Sequence, residues 1–266
     1  MTTATNKSNE IQDYYSFFLE TQKTRVSDGK NDSIIDNQQS VNYVLVIVLP
    51  QLGDFDSLEY AWWLNKQRSQ LQAKNITVKA IAIGSVASGK KFCQYTNFTE
   101  TDLFIDENGS IHRELGLYEG LQWSLPGLNA PQKAWFNLLL MCAGIGSKGT
   151  LKEVFRGYRG DKTAPQLYKE SETIEIKPFP TVKGSLFATV GKDYQRPFEL
   201  ATLRLENMVE VIKNWREYVP DDRYITQRGG TFLFNSDQEV IYQHFDRGIL
   251  GFAENMSNPL SFLPLD

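Results

Sequence analysis

Seven consecutive apolar residues, Tyr43 to Leu49 (YVLVIVL), constrain this chain more than any other stretch. The run is too short for a typical helix and alternates valine with leucine and isoleucine, so it predicts a strand buried on both faces. A strand of that kind needs a layer on each side of its sheet, which points to an α/β architecture. The residues that follow predict a helix running to about Lys74, and ITVKAIAIG (76–84) predicts a second buried strand. SGKKFCQYT then reads as a short helix capped by Ser88. TDLFIDENGS (101–110) reads as a third strand entering an Asn-Gly turn, followed by the helix HRELGL. Strands alternating with helices predict parallel pairing through right-handed crossovers.

Outside this region the pattern changes. Residues 1–40 are polar, with one amphipathic patch at Ile11, Tyr14, Phe17 and Phe18, and predict an N-terminal extension with a short helix and a linker through SDGKNDS. Residues 41–266 read as one domain carrying an insertion over 118–226. Within the insertion PQKAWFNLLLMCAG and TLKEVFRGY predict helices, and 163–195 predicts mixed loop with a hairpin. Ala201, Leu205, Met208, Ile212 and Trp215 recur at helical spacing, which predicts an amphipathic helix with these residues on its core face. GGTFLFN (229–235) and EVIYQHF (239–245) flank a short turn and predict an antiparallel hairpin, with a last helix near 251–258. The order βαβαβα, insertion, ββα resembles the thioredoxin-like fold with its central connection enlarged.

Composition narrows the function classes. The 266 residues carry a net charge of −4, which offers no electrostatic footprint for nucleic acid. No apolar run approaches the roughly 18 residues of a membrane span. The first residues lack the marks of a secretory or transit segment. Two cysteines, Cys93 and Cys142, cannot build a disulfide framework, so a reducing compartment, by default the cytoplasm, is expected.

The strand 43–49 feeds LPQLGDFDSLEYAWWL (49–64), where Asp54, Asp56, Ser57 and Glu59 crowd a predicted helix N-terminus. One reading is structural: Asp56 and Glu59 form a D-x-x-E capping box, and carboxylates favour the helix dipole. The other comes from resemblance. Pro50, Asp54 and Ser57 match the spacing of the P-x-x-x-T/S-x-x-C peroxidatic loop of the peroxiredoxins, the AhpC/TSA or redoxin family. ASGKKFCQYTNFTETDLFIDENGSIHRELGLYEG and TQRGGTFLFNSDQEVIYQHFDRGILGF are similar to further segments of that family, the second through an Arg-x-x-Thr-Phe pattern at Arg228. As a whole the sequence resembles the longer AhpC/TSA-type proteins of cyanobacteria and plastids. The resemblance implies a thioredoxin fold and antioxidant redox chemistry. It also marks Pro50, Asp54 and Ser57 as a degenerate peroxidatic loop, because Ser57 stands where the family carries its cysteine. Peroxide reduction needs a thiolate, and a serine hydroxyl between carboxylates supplies none.

The remaining candidates are few. Cys93, beside Lys90 and Lys91 near a predicted helix start, has the features that lower a thiol pKa, and is otherwise a small hydrophobe on a helix face. Cys142 reads as buried and inert. GIGSKG (144–149) fits G-x-G-x-x-G literally, but a helix rather than a strand precedes it, so a helix stop and restart accounts for it better than a nucleotide. His112 and His244 lack ligand-spaced neighbours, so no metal is expected, and no motif calls for a cofactor. Arg196, Arg223, Arg228 and Arg247 are surface charge or an anion site, with Arg228 the candidate contact. Trp62, Trp63 and Trp123 read as core or interface. The leading expectation is a peroxiredoxin-like protein without its peroxidatic cysteine that works by binding a protein partner or a small thiol- or peroxide-type ligand. The alternatives are a thiol oxidoreductase using Cys93 and a nucleotide-dependent enzyme using the 144–149 loop.

Overall fold

The computed structural model describes residues 13–36, 41–189 and 195–265; Ile11 of the N-terminal patch lies outside them. The elements run α1 (Tyr14–Glu20), β1 (Gln22–Arg25), β2 (Asn31–Ser33), β3 (Tyr43–Gln51), α2 (Phe55–Lys66), α3 (Arg68–Ala73), β4 (Ile76–Ile83), α4 (Val86–Thr96), β5 (Leu103–Ile105) and α5 (Ser110–Glu114). There follow α6 (Ala130–Cys142), α7 (Thr150–Arg159), β6 (Thr173–Ile174), β7 (Val182–Lys183), α8 (Pro197–Lys213), α9 (Trp215–Tyr218), β8 (Gly230–Asn235) and β9 (Val240–Phe245).

A mixed seven-stranded sheet in the order β2-β1-β5-β4-β3-β8-β9 forms the centre. β3, β4 and β5 are parallel, as strands joined through helices must be, while β8 and β9 close one side as an antiparallel hairpin. Along β3 the side chains alternate between two cores. Leu45, Ile47 and Leu49 face one layer with α2, α4 and α8, and Val44, Val46 and Val48 face the other with α1 and α5. The arrangement is a mixed α/β fold consistent with the thioredoxin-like class. Leu167, Phe187, Leu200, Leu203, Val211 and Tyr218 share the first core with Leu45 and Ile47, so the 118–226 segment is packed onto the sheet.

Four local expectations are corrected. Residues 22–33, expected as linker, form the β1–β2 hairpin, whose first strand hydrogen-bonds to β5; SDGK supplies the turn with Gly29 at φ 69°. The helix holding Cys93 starts at Val86, not at Ser88. Ser85 is its N-cap, and Ser88 closes the capping box from the third position. Residues 251–258 form turns, because the Asn255 side chain accepts from the Ser257 amide at 3.1 Å and competes with a helical ladder. On α8 the buried residues are Glu199, Leu200, Leu203, Asn207 and Val211, whereas Met208 and Ile212 are 37% and 62% exposed. The predicted stripe is therefore one residue out of phase.

Candidate functional site

β3 ends at Pro50 and Gln51, where its register with β4 shifts, and the chain turns through Leu52 and Gly53 into α2. Gly53 is required here, because a Cβ would fall 2.4 Å from Val219 and 3.0 Å from Tyr218. Asp54 is the N-cap of α2 by its backbone, yet its side chain makes no capping hydrogen bond. The D-x-x-E box is not formed either. Asp56 accepts from the Leu250 amide at 2.7 Å, and Glu59 accepts from the Arg204 Nε at 3.0 Å. The carboxylates that read as caps serve tertiary contacts instead.

Ser57 lies in the first turn of α2 and is 1% exposed. Its hydroxyl points toward the Gln51 carbonyl at 3.4 Å and faces a void of about 10 Å³. Arg228, also 1% exposed, is the charge centre of the junction. Its guanidinium meets Asp54 at 3.2 and 3.4 Å and Asp56 at 3.5 Å, and its Nε donates to the Thr226 carbonyl at 3.2 Å. Asp246 lies close by and accepts from the Gly229 amide at 3.1 Å. Burial raises the carboxyl pKa of Asp54 and raises that of Asp56 well above the usual range, with Asp54 adding to the second shift. Asp246 is pushed up to about 7 by burial. Three carboxylates around one guanidinium in a buried site make full ionisation of the set unfavourable.

Beside this cluster opens a groove of about 460 Å³ between the β3–α2 turn, α6 and α8. Trp135, Leu138, Leu139, Met208, Ile212 and Trp215 form apolar walls, with Gln51, Asp54, Asp56 and Cys142 among the polar lining. Trp135 and Trp215 pack against each other in a tilted pair, with ring centres 4.9 Å apart and 36° between the ring planes.

The structure places Cys93 as a small hydrophobe on a helix face, not as an activated thiol, and Cys142 departs from its expected burial. Cys93 is 4% exposed in the core, and burial with Glu100 and Asp102 nearby pushes its thiol up to about 12. Lys91 is engaged elsewhere, pairing with Glu210 at 3.4 Å. Cys142, expected to be buried, is exposed and lines the groove. The arginines are not brought together: Arg223 pairs with Asp221 on the surface, Arg196 pairs with Glu199 in the interior, and the carboxylates engage Arg228. In the 144–149 loop Gly144, Gly146 and Gly149 have positive φ and let it dock on the chain after β9. There Lys148 donates to Arg247 and the Ile249 amide donates to Ser147. Gly149 is the N-cap of α7. Trp63 is core, Trp62 packs edge-on against it, and Trp123 is exposed. Among the described residues no group of three or more His, Cys, Asp or Glu is placed to hold a metal, and no helix is long and apolar enough to cross a membrane.

Sequence reasoning missed the groove and the Arg228 cluster. The only signal for the cluster was an excess of carboxylates at one helix start with no local cation. No curated protein and no solved structure matches the chain. Residues 63–248 match the family described as AhpC/TSA antioxidant enzyme, a span that begins within α2 just after the junction. The chain belongs to the AhpC/TSA antioxidant enzyme family.

Proposed function

We propose that this protein is a redoxin of the cyanobacterial and plastid type whose β3–α2 junction has lost its peroxidatic cysteine, and that it works by binding at the adjoining groove. The observation that carries the proposal is the state of position 57. A buried serine hydroxyl stands there, within a helix turn shared with Asp54 and Asp56. A peroxidatic thiol is activated by a helix N-terminus and nearby cations, and must be reachable by peroxide. This junction offers carboxylates, and its one buried guanidinium is already engaged by them. The raised thiol of Cys93 speaks against that residue as a replacement nucleophile. Two free cysteines support a reducing, cytoplasmic setting.

The test is hydroperoxide consumption by the full chain with dithiothreitol or thioredoxin as reductant. No turnover above the protein-free rate is expected. Turnover that disappears in Cys93→Ser would overturn the proposal in favour of a thiol-dependent antioxidant enzyme.

A further inference from the structure

We propose that the outer face of α6, α7 and α8 joins two copies of this chain in a symmetric dimer, the groove of each copy filled by the rim of the other. This names the partner of the groove and rests on the binding reading above.

The apolar surface extends beyond the groove. α8 turns Met208 and Ile212 outward, and across the groove α6 presents Trp135 and Leu139. The face continues past the end of α6. Leu151 of α7 lies against Gly144, where a Cβ would fall 2.8 Å from it. Phe155 follows one turn on and shares that side of α7, while Thr150 and Glu153 face inward. α7 itself packs on α8, where Leu200 stands 3.0 Å from the position of a Gly157 Cβ.

Area decides what such a face does. Trp135, Leu139, Leu151, Phe155, Met208 and Ile212 are between 37% and 64% exposed. At roughly 200 Å² for a large side chain, they leave on the order of 600 Å² of apolar surface in water. Monomeric proteins rarely expose a contiguous patch of more than a few hundred Å². Two such faces together bury roughly 1,200 Å², the lower bound of a stable specific interface. A small molecule in the groove would leave Leu151 and Phe155 in water.

Charge selects a second copy among the larger partners. Asp54 and Asp56, at the inner end of the groove, are engaged by Arg228. No Lys, Arg or His lines the groove among the described residues, so it lacks the basic rim that an anionic membrane would need. On α7 the Arg159 guanidinium lies over the Phe155 ring, 5.5 Å from its centre. Two identical faces without charge at their centre meet with no like-charge repulsion.

A twofold interface must also be complementary to itself. This face carries both halves of the fit. The groove is the recess, and Leu139 and Ile212, the most exposed apolar residues on its two walls, are the ridges.

Sedimentation velocity of the full chain tests this. An interface at the lower size limit predicts a dissociation constant on the order of micromolar, so the mass should rise from one chain to two between about 1 and about 200 µM. Leu139→Asp and Ile212→Asp set carboxylates against their own copies, and should each weaken association roughly a hundredfold with unchanged circular dichroism. Ile241→Asp, on the exposed strand β9 at the sheet edge, should leave it unchanged. Cys142, exposed on the groove wall, gives a reading without any variant: its reaction with a thiol reagent should slow as the dimer forms. A single chain at every concentration, including one that sediments with anionic vesicles instead, overturns the inference. So does association that survives both aspartates, or that is lost in Ile241→Asp alone. Failure of the underlying reading shows separately, as peroxide turnover.

Discussion

Replacing Leu203 with alanine removes a side chain that is 1% exposed, on the face of α8 that packs toward the sheet beside α2. Leucine-to-alanine changes at such positions cost about 2–5 kcal/mol, the lost transfer energy plus a cavity contribution. Leu200 and Val211 flank the site on the same face and are themselves buried, so little collapse is available and about 3 kcal/mol is expected. Met208 sits one residue out of phase, 37% exposed on the groove wall, and Met208→Asp should cost no more than about 1 kcal/mol. Urea unfolding followed by far-ultraviolet circular dichroism measures both. With a slope of about 3 kcal/mol per molar, Leu203→Ala moves the midpoint by roughly 1 M at unchanged slope, and Met208→Asp by a few tenths. Equal costs, or loss of the cooperative transition in Met208→Asp alone, would refute the assignment of the buried face.

Three further outcomes are expected. His112 is buried, its Nε2 donates to the Leu49 carbonyl at 2.9 Å, and burial lowers its pKa from 6.5 to about 4. Because the unfolded chain binds the proton more tightly, stability falls as pH drops from about 6.5 toward 4, by about 3 kcal/mol from this group; His112→Gln should remove that part of the pH profile. Gly53→Ala should cost about 1–3 kcal/mol by overpacking against Val219, and a thermal-melt cycle with Val219→Ala should recover part of it. A thiol reagent should label Cys142 in the native protein and Cys93 only on unfolding, a count that Cys142→Ser reduces to zero before denaturant is added.

The strands were legible because β3 and β4 are buried on both faces, and an uninterrupted apolar run has few other uses. The phase of α8 was hidden for the opposite reason. Its buried face includes Asn207 and Glu199, with half-buried Arg204 alongside, and each finds a distant partner: Asn207 with Tyr95, Glu199 with the Tyr168 amide, and Arg204 with Glu59 and Glu153. A pattern of apolar residues cannot anticipate polar groups satisfied across the fold, so it points to the purely apolar neighbouring stripe instead. That stripe is where Met208, Ile212 and Trp215 meet the groove. The β1–β2 hairpin leaves no apolar run because both strands are short and polar, and β2 lies at the sheet edge, where such strands are common.

The same limit explains the opening ambiguity of Asp54, Asp56 and Glu59. Read locally, acidic residues at a helix start serve the dipole, and nothing in the sequence joins them to Arg228 or Arg204, well over a hundred residues away. Once folded, these carboxylates leave the α2 amides uncapped and bind buried guanidinium groups instead. That exchange bears on chemistry. A helix start that activates a thiol must favour the anion, whereas this one gathers Asp54, Asp56 and Asp246 in a dry site and raises the pKa of each. The junction therefore disfavours a further anion beside Ser57.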